Sequence, residues 1–157
     1  MAGAQLTVAD VLNKGIQREI ESQRLYSDLR SRVRDDQTKY AFSMLFQQEQ
    51  RHQQILQQYL SGGFKEGALQ IGQVIDYRIA EYLDQPQIKP DMKLPDIFLL
   101  AAKREKTANE FYLSLAAVHP AGEIRQLLEK LASEELGHKK TVESLYGEVA
   151  FPQTDGG

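Results

Sequence analysis

Glu135 and His138 stand three residues apart in the run Leu131-Ala132-Ser133-Glu134-Glu135-Leu136-Gly137-His138. Three residues are close to one helical turn, so a carboxylate and an imidazole leave the same face, one above the other. That face otherwise carries Ile124, Leu127 or Leu128, Leu131, Val142 and Leu145, so both polar groups occupy positions where leucine is expected. An ionised carboxylate in apolar surroundings is costly unless it is paired or binds a cation. Glu-x-x-His is therefore a candidate half of a metal site, although the motif alone recurs by chance on many helices.

The rest of the chain repeats it. Residues 8–60 lie on residues 94–146 at a constant offset of 86, without a gap. Asp10 falls on Asp96, Arg18 on Arg104, Glu19 on Glu105, Tyr26 on Tyr112, Leu29 on Leu115, Leu45 on Leu131, Glu49 on Glu135 and His52 on His138. Each half thus carries a Glu, a Tyr seven residues later, and a Glu-x-x-His thirty residues after the first Glu. A repeat of this kind reads as two similar two-helix units that close on each other. Glu19, Glu49, Glu105 and Glu135, each from a different helix, would then meet His52 and His138 at one level of the bundle.

With neutral imidazoles this cluster has a formal charge of about minus four, which two divalent cations cancel; without them, like charges in a confined site force several acids to hold protons. Glu from each of two helices plus Glu-x-x-His from each of the other two is the ligand set of di-iron and di-manganese carboxylate bundles. Tyr26 and Tyr112, two turns beyond Glu19 and Glu105, can hold those carboxylates by hydrogen bonds; plain core packing is their other reading.

Composition bounds what such a site can be. The 157 residues suffice for one domain with a sizeable core, and 41% hydrophobic with 26% charged residues is ordinary for a soluble globular protein. A net charge of −3 gives no reason to expect nucleic acid or an acidic membrane as partner. No apolar run is long enough to span a bilayer, and the N-terminus lacks a basic start and an apolar core, so a cytoplasmic location is expected. Zero cysteines leave no thiolate zinc site, iron-sulfur cluster or rubredoxin-type centre. A metal here is held by oxygen and nitrogen.

Four helices must position these groups, in a single domain over 1–157. Thr7 is a good N-cap with Asp10 three residues on, and Val8, Val11, Leu12, Gly15 or Ile16, Glu19, Tyr26, Leu29 and Val33 recur at helical spacing. Asp35 or Asp36 caps a second helix running to about Leu60, whose outer face of Gln47, Gln48, Gln50, Gln53, Gln54, Gln57 and Gln58 reads as solvated. Ser61-Gly62-Gly63 ends it. Residues 61–93 form a crossover linker, with a helical piece expected around Ala68 to Leu83 before Pro86 and Pro90. The second pair covers 94–146, with Pro95 in the first turn of the third helix, a turn at Val118–Gly122, and a fourth helix ending near Tyr146 before a loose tail at 147–157. His119, beside a proline in a turn and without a repeat partner, reads as a surface residue.

Arg18 through Tyr26, Gln48-Glu49-Gln50-Arg51-His52, Glu105 through Phe111-Tyr112, and Ser133 through His138 together resemble the ferritin-like superfamily, nearest its rubrerythrin-like (erythrin) branch. The resemblance covers residues 8–146 and implies an all-α, ferritin-like four-helix bundle of two duplicated helix pairs joined by a long crossover. It implies that Glu49 and Glu135 bridge or chelate two metals, that Glu19 and Glu105 are terminal carboxylates, and that His52 and His138 give one nitrogen to each metal. Glu134 is also near His138, but the repeat places it on Gln48, so it reads as a supporting or surface residue.

Two departures bear on activity. Rubrerythrins proper carry a cysteine-ligated rubredoxin domain, lacking here, and an extra glutamate one turn past the third-helix ligand, where this chain has Ala108. The resemblance then implies a di-iron centre that reduces peroxide or oxygen with electrons from an external redox protein. The alternatives are a ferroxidase that handles iron, or a domain in which the ions only fasten the helices. Glutamate and histidine also accept manganese and zinc. A homodimer is the expected assembly.

Overall fold

Thr7 opens the first helix as its sequence predicts. Its hydroxyl accepts the Asp10 backbone N–H at 3.1 Å, and the Asp10 carboxylate accepts the Thr7 N–H at 3.0 Å. This capping box satisfies two donors that a helix start leaves free. The computed structural model describes residues 6–75, 88–89 and 91–150. Among them, helix α1 covers Val8–Arg32, α2 Asp36–Leu60, α3 Leu94–Ala117 and α4 Glu123–Ala150. Asp35 caps α2, accepting the Thr38 N–H at 2.9 Å, and a proline sits in the first turn of α3. Gly62 takes φ +84° at the end of α2, and the Gly63 N–H returns to the Gln58 carbonyl at 2.8 Å. Helix α4 runs four residues past the expected end, so 147–150 are helical; the remainder of the expected tail, 151–157, lies outside the described residues.

Two apolar clusters fix the directions of the helices. One joins Val8, Leu12 and Ile16 at the start of α1, Leu56 and Tyr59 at the end of α2, Phe111 and Leu115 late in α3, and Leu128 and Leu131 early in α4. The other joins Leu25 and Leu29, Phe42 and Leu45, Ile97 and Phe98, and Val142 from the opposite ends. Consecutive helices α1–α2 and α3–α4 are therefore antiparallel hairpins, while the end of α2 and the start of α3 lie at opposite ends of the bundle. The connection must run the bundle's length, which is the job its thirty-odd residues can do. Leu128, not Leu127, is the buried member of the α4 stripe. No helix among the described residues is long and apolar enough to cross a membrane.

The connection departs from its expected form. Residues 68–73 are turn and irregular chain rather than helix; Val74–Ile75 form strand β2, antiparallel to strand β1 at Leu6–Thr7. The rest of the expected helical piece, 76–83, lies outside the described residues. The physical reason lies at the start of α1. Its Val8 and Ala9 N–H groups donate to Gln73 O at 2.8 Å and Ile71 O at 2.9 Å. An extended segment can supply carbonyls to a helix start, whereas a helix would keep them for itself.

His119 also contradicts its surface reading: it is 3% exposed. The chain turns back after α3, so the ring meets the last turn of its own helix and Tyr59 on α2. Nδ1 lies 2.7 Å from the Leu115 carbonyl and Nε2 2.7 Å from the Tyr59 hydroxyl, which in turn accepts the Leu69 N–H at 2.8 Å. Burial pushes His119 below its ordinary pKa, in keeping with a neutral ring that donates from Nδ1 and accepts at Nε2. One hydroxyl thus ties the connection to two helices. Tyr59→Phe leaves a part-buried N–H and a buried ring nitrogen unpaired and is expected to cost ~1–3 kcal/mol in urea unfolding.

Candidate metal centre

Between the two apolar clusters the chain puts charge. Glu19 of α1, Glu49 and His52 of α2, Glu105 of α3, and Glu135 and His138 of α4 are all buried, none more than 4% exposed. Helical spacing aims each pair inward, and the two antiparallel hairpins bring the four stripes to one level. All six residues that the sequence nominates converge.

Their arrangement divides into two overlapping groups. Glu19, Glu49, His52 and Glu135 can place one donor atom each within 4.8 Å of one another, and so can Glu49, Glu105, Glu135 and His138. Glu49 and Glu135 belong to both, so these are the carboxylates placed to serve two ions, whereas Glu19 and Glu105 each belong to one group. The histidines divide likewise, with near-parallel rings 5.8 Å apart. His52 Nδ1 is 2.6 Å from Glu135 Oε1 and 3.7 Å from Glu19 Oε1 and Glu49 Oε1. His138 Nδ1 is 2.8 Å from Glu49 Oε1 and 3.6 Å from Glu105 Oε2 and Glu135 Oε1.

The donor set fits a pair of cations. Glu19 Oε2, Glu49 Oε1, His52 Nδ1, Glu105 Oε2, Glu135 Oε1 and His138 Nδ1 are all buried with no hydrogen-bond partner outside the cluster they form. Buried polar atoms are nearly always satisfied, so six that have only one another to face, one from each of the six converging residues, mark a place for a ligand. Four carboxylates and two imidazoles suit two divalent cations in number and charge.

The atoms that turn away from this centre are held. Tyr112 O–H donates to Glu19 Oε1 at 2.5 Å, and Tyr26 O–H donates to Glu105 Oε1. Each tyrosine therefore steadies the glutamate of the other half, not the one on its own helix as the sequence reading had it. The reason is packing: α1 and α3 run antiparallel, so two turns along one helix comes opposite the glutamate of the other. His52 Nε2 lies 2.7 Å from Glu134 Oε2, which also accepts Arg51 Nη2 at 2.6 Å. His138 Nε2 pairs with Gln48 Oε1. Gln48 thus departs from the solvated glutamine face, as does Gln53, which accepts Gln23 Nε2 at 2.7 Å.

Burial and mutual charge set the protons. Glu49 is pushed up to about 8 by desolvation and by Glu105 and Glu19, against the pull of His138. Glu135 rises well above the carboxylate range for the same reasons, desolvation first and then the neighbouring glutamates. Glu105 is held below its ordinary value: burial opposes this, but His138, Glu135 and Tyr26 hydrogen bonds outweigh it. Desolvation lowers both histidines, yet the carboxylates win. His52 is lifted to about 9 by Glu134, Glu19 and Glu49, and His138 to about 10 by Glu105 and Glu49.

Arg18, which the sequence reading did not assign to the site, adjoins it. Its guanidinium lies 5.3 Å from the centroid of Phe111, and its Nε is buried without a partner. With Glu19, Ser22, Ala108, Tyr112 and Glu135 it lines a cavity of about 10 Å³ beside the carboxylates. The repeat of Arg18 at Arg104 was the available signal. Arg104 instead reaches Glu21, Nη2 to Oε2 at 3.2 Å.

No family model and no curated protein sequence matches the chain. Two solved structures share its fold. A Thermotoga maritima protein described as a ferritin-like diiron-carboxylate protein is 19% identical, with TM-score 0.74 over 94% of this chain and 99% of its own. A hypothetical protein from Pyrococcus furiosus is 22% identical, with TM-score 0.74 over 95% of this chain and 94% of its own. The fold is therefore the ferritin-like four-helix bundle.

Proposed function

We propose that this chain is a di-iron carboxylate protein that binds two metal ions between its four helices and reduces peroxide or oxygen with electrons from an external donor. The observation that carries it is the set of six buried ligand atoms with no partner outside their own cluster, drawn from residues of which Glu49 and Glu135 are common to both groups. The fold shared with a protein described as ferritin-like and diiron-carboxylate supports the same reading.

In this reading Glu49 and Glu135 hold both ions, Glu19 and His52 complete one position, and Glu105 and His138 the other. Bound as ferrous ions, the pair supplies the two electrons that convert peroxide and two protons to two molecules of water. The protein's own groups supply placement. Tyr112 and Tyr26 fix one oxygen each of Glu19 and Glu105, and Glu134 and Gln48 fix the ring orientation that turns each Nδ1 inward. Leucine and phenylalanine clusters above and below exclude bulk water. The Arg18 cavity admits about one water-sized molecule beside Glu19 and Glu135, which suits a small oxidant better than an organic substrate. These 157 residues hold no cysteine, so none of them supplies a thiolate redox centre. Manganese or zinc could fill the same ligands, and a homodimer in the cytoplasm completes the proposal.

The test is metal content per chain after anaerobic loading with Fe(II) and desalting, followed by absorbance on adding peroxide. About two irons per chain, with near-ultraviolet bands of an oxo-bridged ferric pair and a return to the ferrous spectrum on reduction, is the expected result. Many irons per chain would replace it with ferroxidase and iron handling. Tight but inert metal, with a sharp fall in melting temperature on removal, would leave a structural role.

A further inference from the structure

The two halves of the centre are alike almost everywhere. Glu19 repeats as Glu105, Glu49 as Glu135, His52 as His138, and each tyrosine donates to the opposite glutamate. Symmetry breaks behind the histidines. His52 Nε2 faces the Glu134 carboxylate at 2.7 Å, whereas His138 Nε2 faces the Gln48 amide oxygen. Glu134 and Gln48 are themselves equivalent positions of the repeat, separated by the same offset of 86. The neighbours follow suit: Arg51 Nη2 donates to Glu134 Oε2 at 2.6 Å, while the repeat position of Arg51 is Gly137.

With Nδ1 turned to the centre, each Nε2 carries the ring's proton and donates it outward. A carboxylate acceptor draws that N–H more strongly than an amide does, raising the basicity of the ligating nitrogen. Arg51 anchors the carboxylate from the solvent side, so it stays in line with the ring. The amide of Gln48 is neutral and supplies only an ordinary hydrogen bond.

We propose that the two cation positions are inequivalent by construction: the Glu19–His52 position, backed by Glu134, binds a divalent ion more tightly than the Glu105–His138 position, backed by Gln48. This rests on the two-metal reading above. A half-loaded protein then holds its ion beside His52, and the ion beside His138 is the one that exchanges. Gln48 and Glu134 are positioning residues, acting on the metals only through the imidazoles.

Titration with Co(II), followed by calorimetry and visible absorbance, separates the two ideas. The wild-type protein is expected to take up about two ions per chain in two steps, the first about tenfold or more tighter than the second. Glu134→Gln is expected to weaken the first step about tenfold and leave the second, so the steps merge at the weak end; Gln48→Glu is expected to strengthen the second, so they merge at the tight end. A general structural role for these residues would not raise an affinity, so the Gln48→Glu gain discriminates. Two equal steps in the wild type, or equal weakening of both by Glu134→Gln, overturns the inequivalence while the two-metal reading stands. Fewer than two ions in the wild type overturns that reading and the inference with it. Circular dichroism checks that each variant is folded.

Discussion

Glu49→Ala protein, loaded anaerobically with Fe(II) and desalted, is expected to retain about one iron per chain or fewer, where the wild type retains about two. Glu135→Ala is expected to behave the same way. Each is common to both donor groups, so one substitution removes an oxygen from two positions at once. Each also stands against a histidine, Glu49 Oε1 at 2.8 Å from His138 Nδ1 and Glu135 Oε1 at 2.6 Å from His52 Nδ1. Losing the carboxylate therefore leaves an imidazole with less to face as well as an ion with one fewer ligand. Glu19→Ala is the contrast: Glu19 belongs to one group, so its loss should spare the ion held by Glu105 and His138. Elemental analysis of the desalted proteins reads all three. Two tightly held ions in both Glu49→Ala and Glu135→Ala would remove these residues from the centre.

The second large effect is in protons. Near neutral pH the metal-free protein holds a proton on Glu49, whose pKa is pushed up to about 8, and Glu135 is raised well above the ordinary carboxyl range. His52 and His138, lifted to about 9 and about 10, hold theirs too. Glu49 and both histidines must lose these protons at the ligating atom to bind metal, so loading the pair at pH 7 should release about three protons or more. Calorimetry in buffers of different ionisation enthalpy counts them. Apparent affinity should rise with pH until about 9 to 10 and then level off.

The same shifts act on the metal-free fold, and both kinds have one sign. His52 and His138 have folded pKa values above the unfolded 6.5, so their contribution is complete below that value and lost as pH rises through about 9 and 10. Glu49 is raised from 4.5 to about 8, so the folded state again binds more protons between those values. The melting temperature of metal-free protein should therefore fall from pH 7 to pH 10. Metal-loaded protein, its protons already displaced, should lose much less over that interval. Equal slopes for the two forms would contradict the assignment of these protons to the centre.

Most of the architecture could be read from short-range rules. Thr7 with Asp10, Asp35 with Thr38, and Gly62 mark helix ends through contacts spanning three or four residues, which a sequence displays directly. The connection defeated the same rules: its apolar residues at 68–75 suggested a helix, but the donors left free at the start of α1 take its carbonyls, and the segment is turns and a two-residue strand. His119 was misread because its partner Tyr59 lies sixty residues away, on another helix.

The candidate centre divides along the same line. Spacing of three residues puts Glu49 with His52, and Glu135 with His138, on shared helix faces whatever surrounds them, and the repeat shows that the two helix pairs contribute equally. That much the sequence by itself determined: six donors, their inward direction, and a charge that calls for two cations. Only the tertiary structure decided that Tyr26 serves Glu105 while Tyr112 serves Glu19, and that Glu134 and Gln48 stand behind the histidines. The physical reason is that a helix's own geometry fixes which residues share its face. The axial stagger and rotation of one helix against another fix what that face meets, and these are set by the packing of Leu, Phe and Tyr side chains above and below the charged layer.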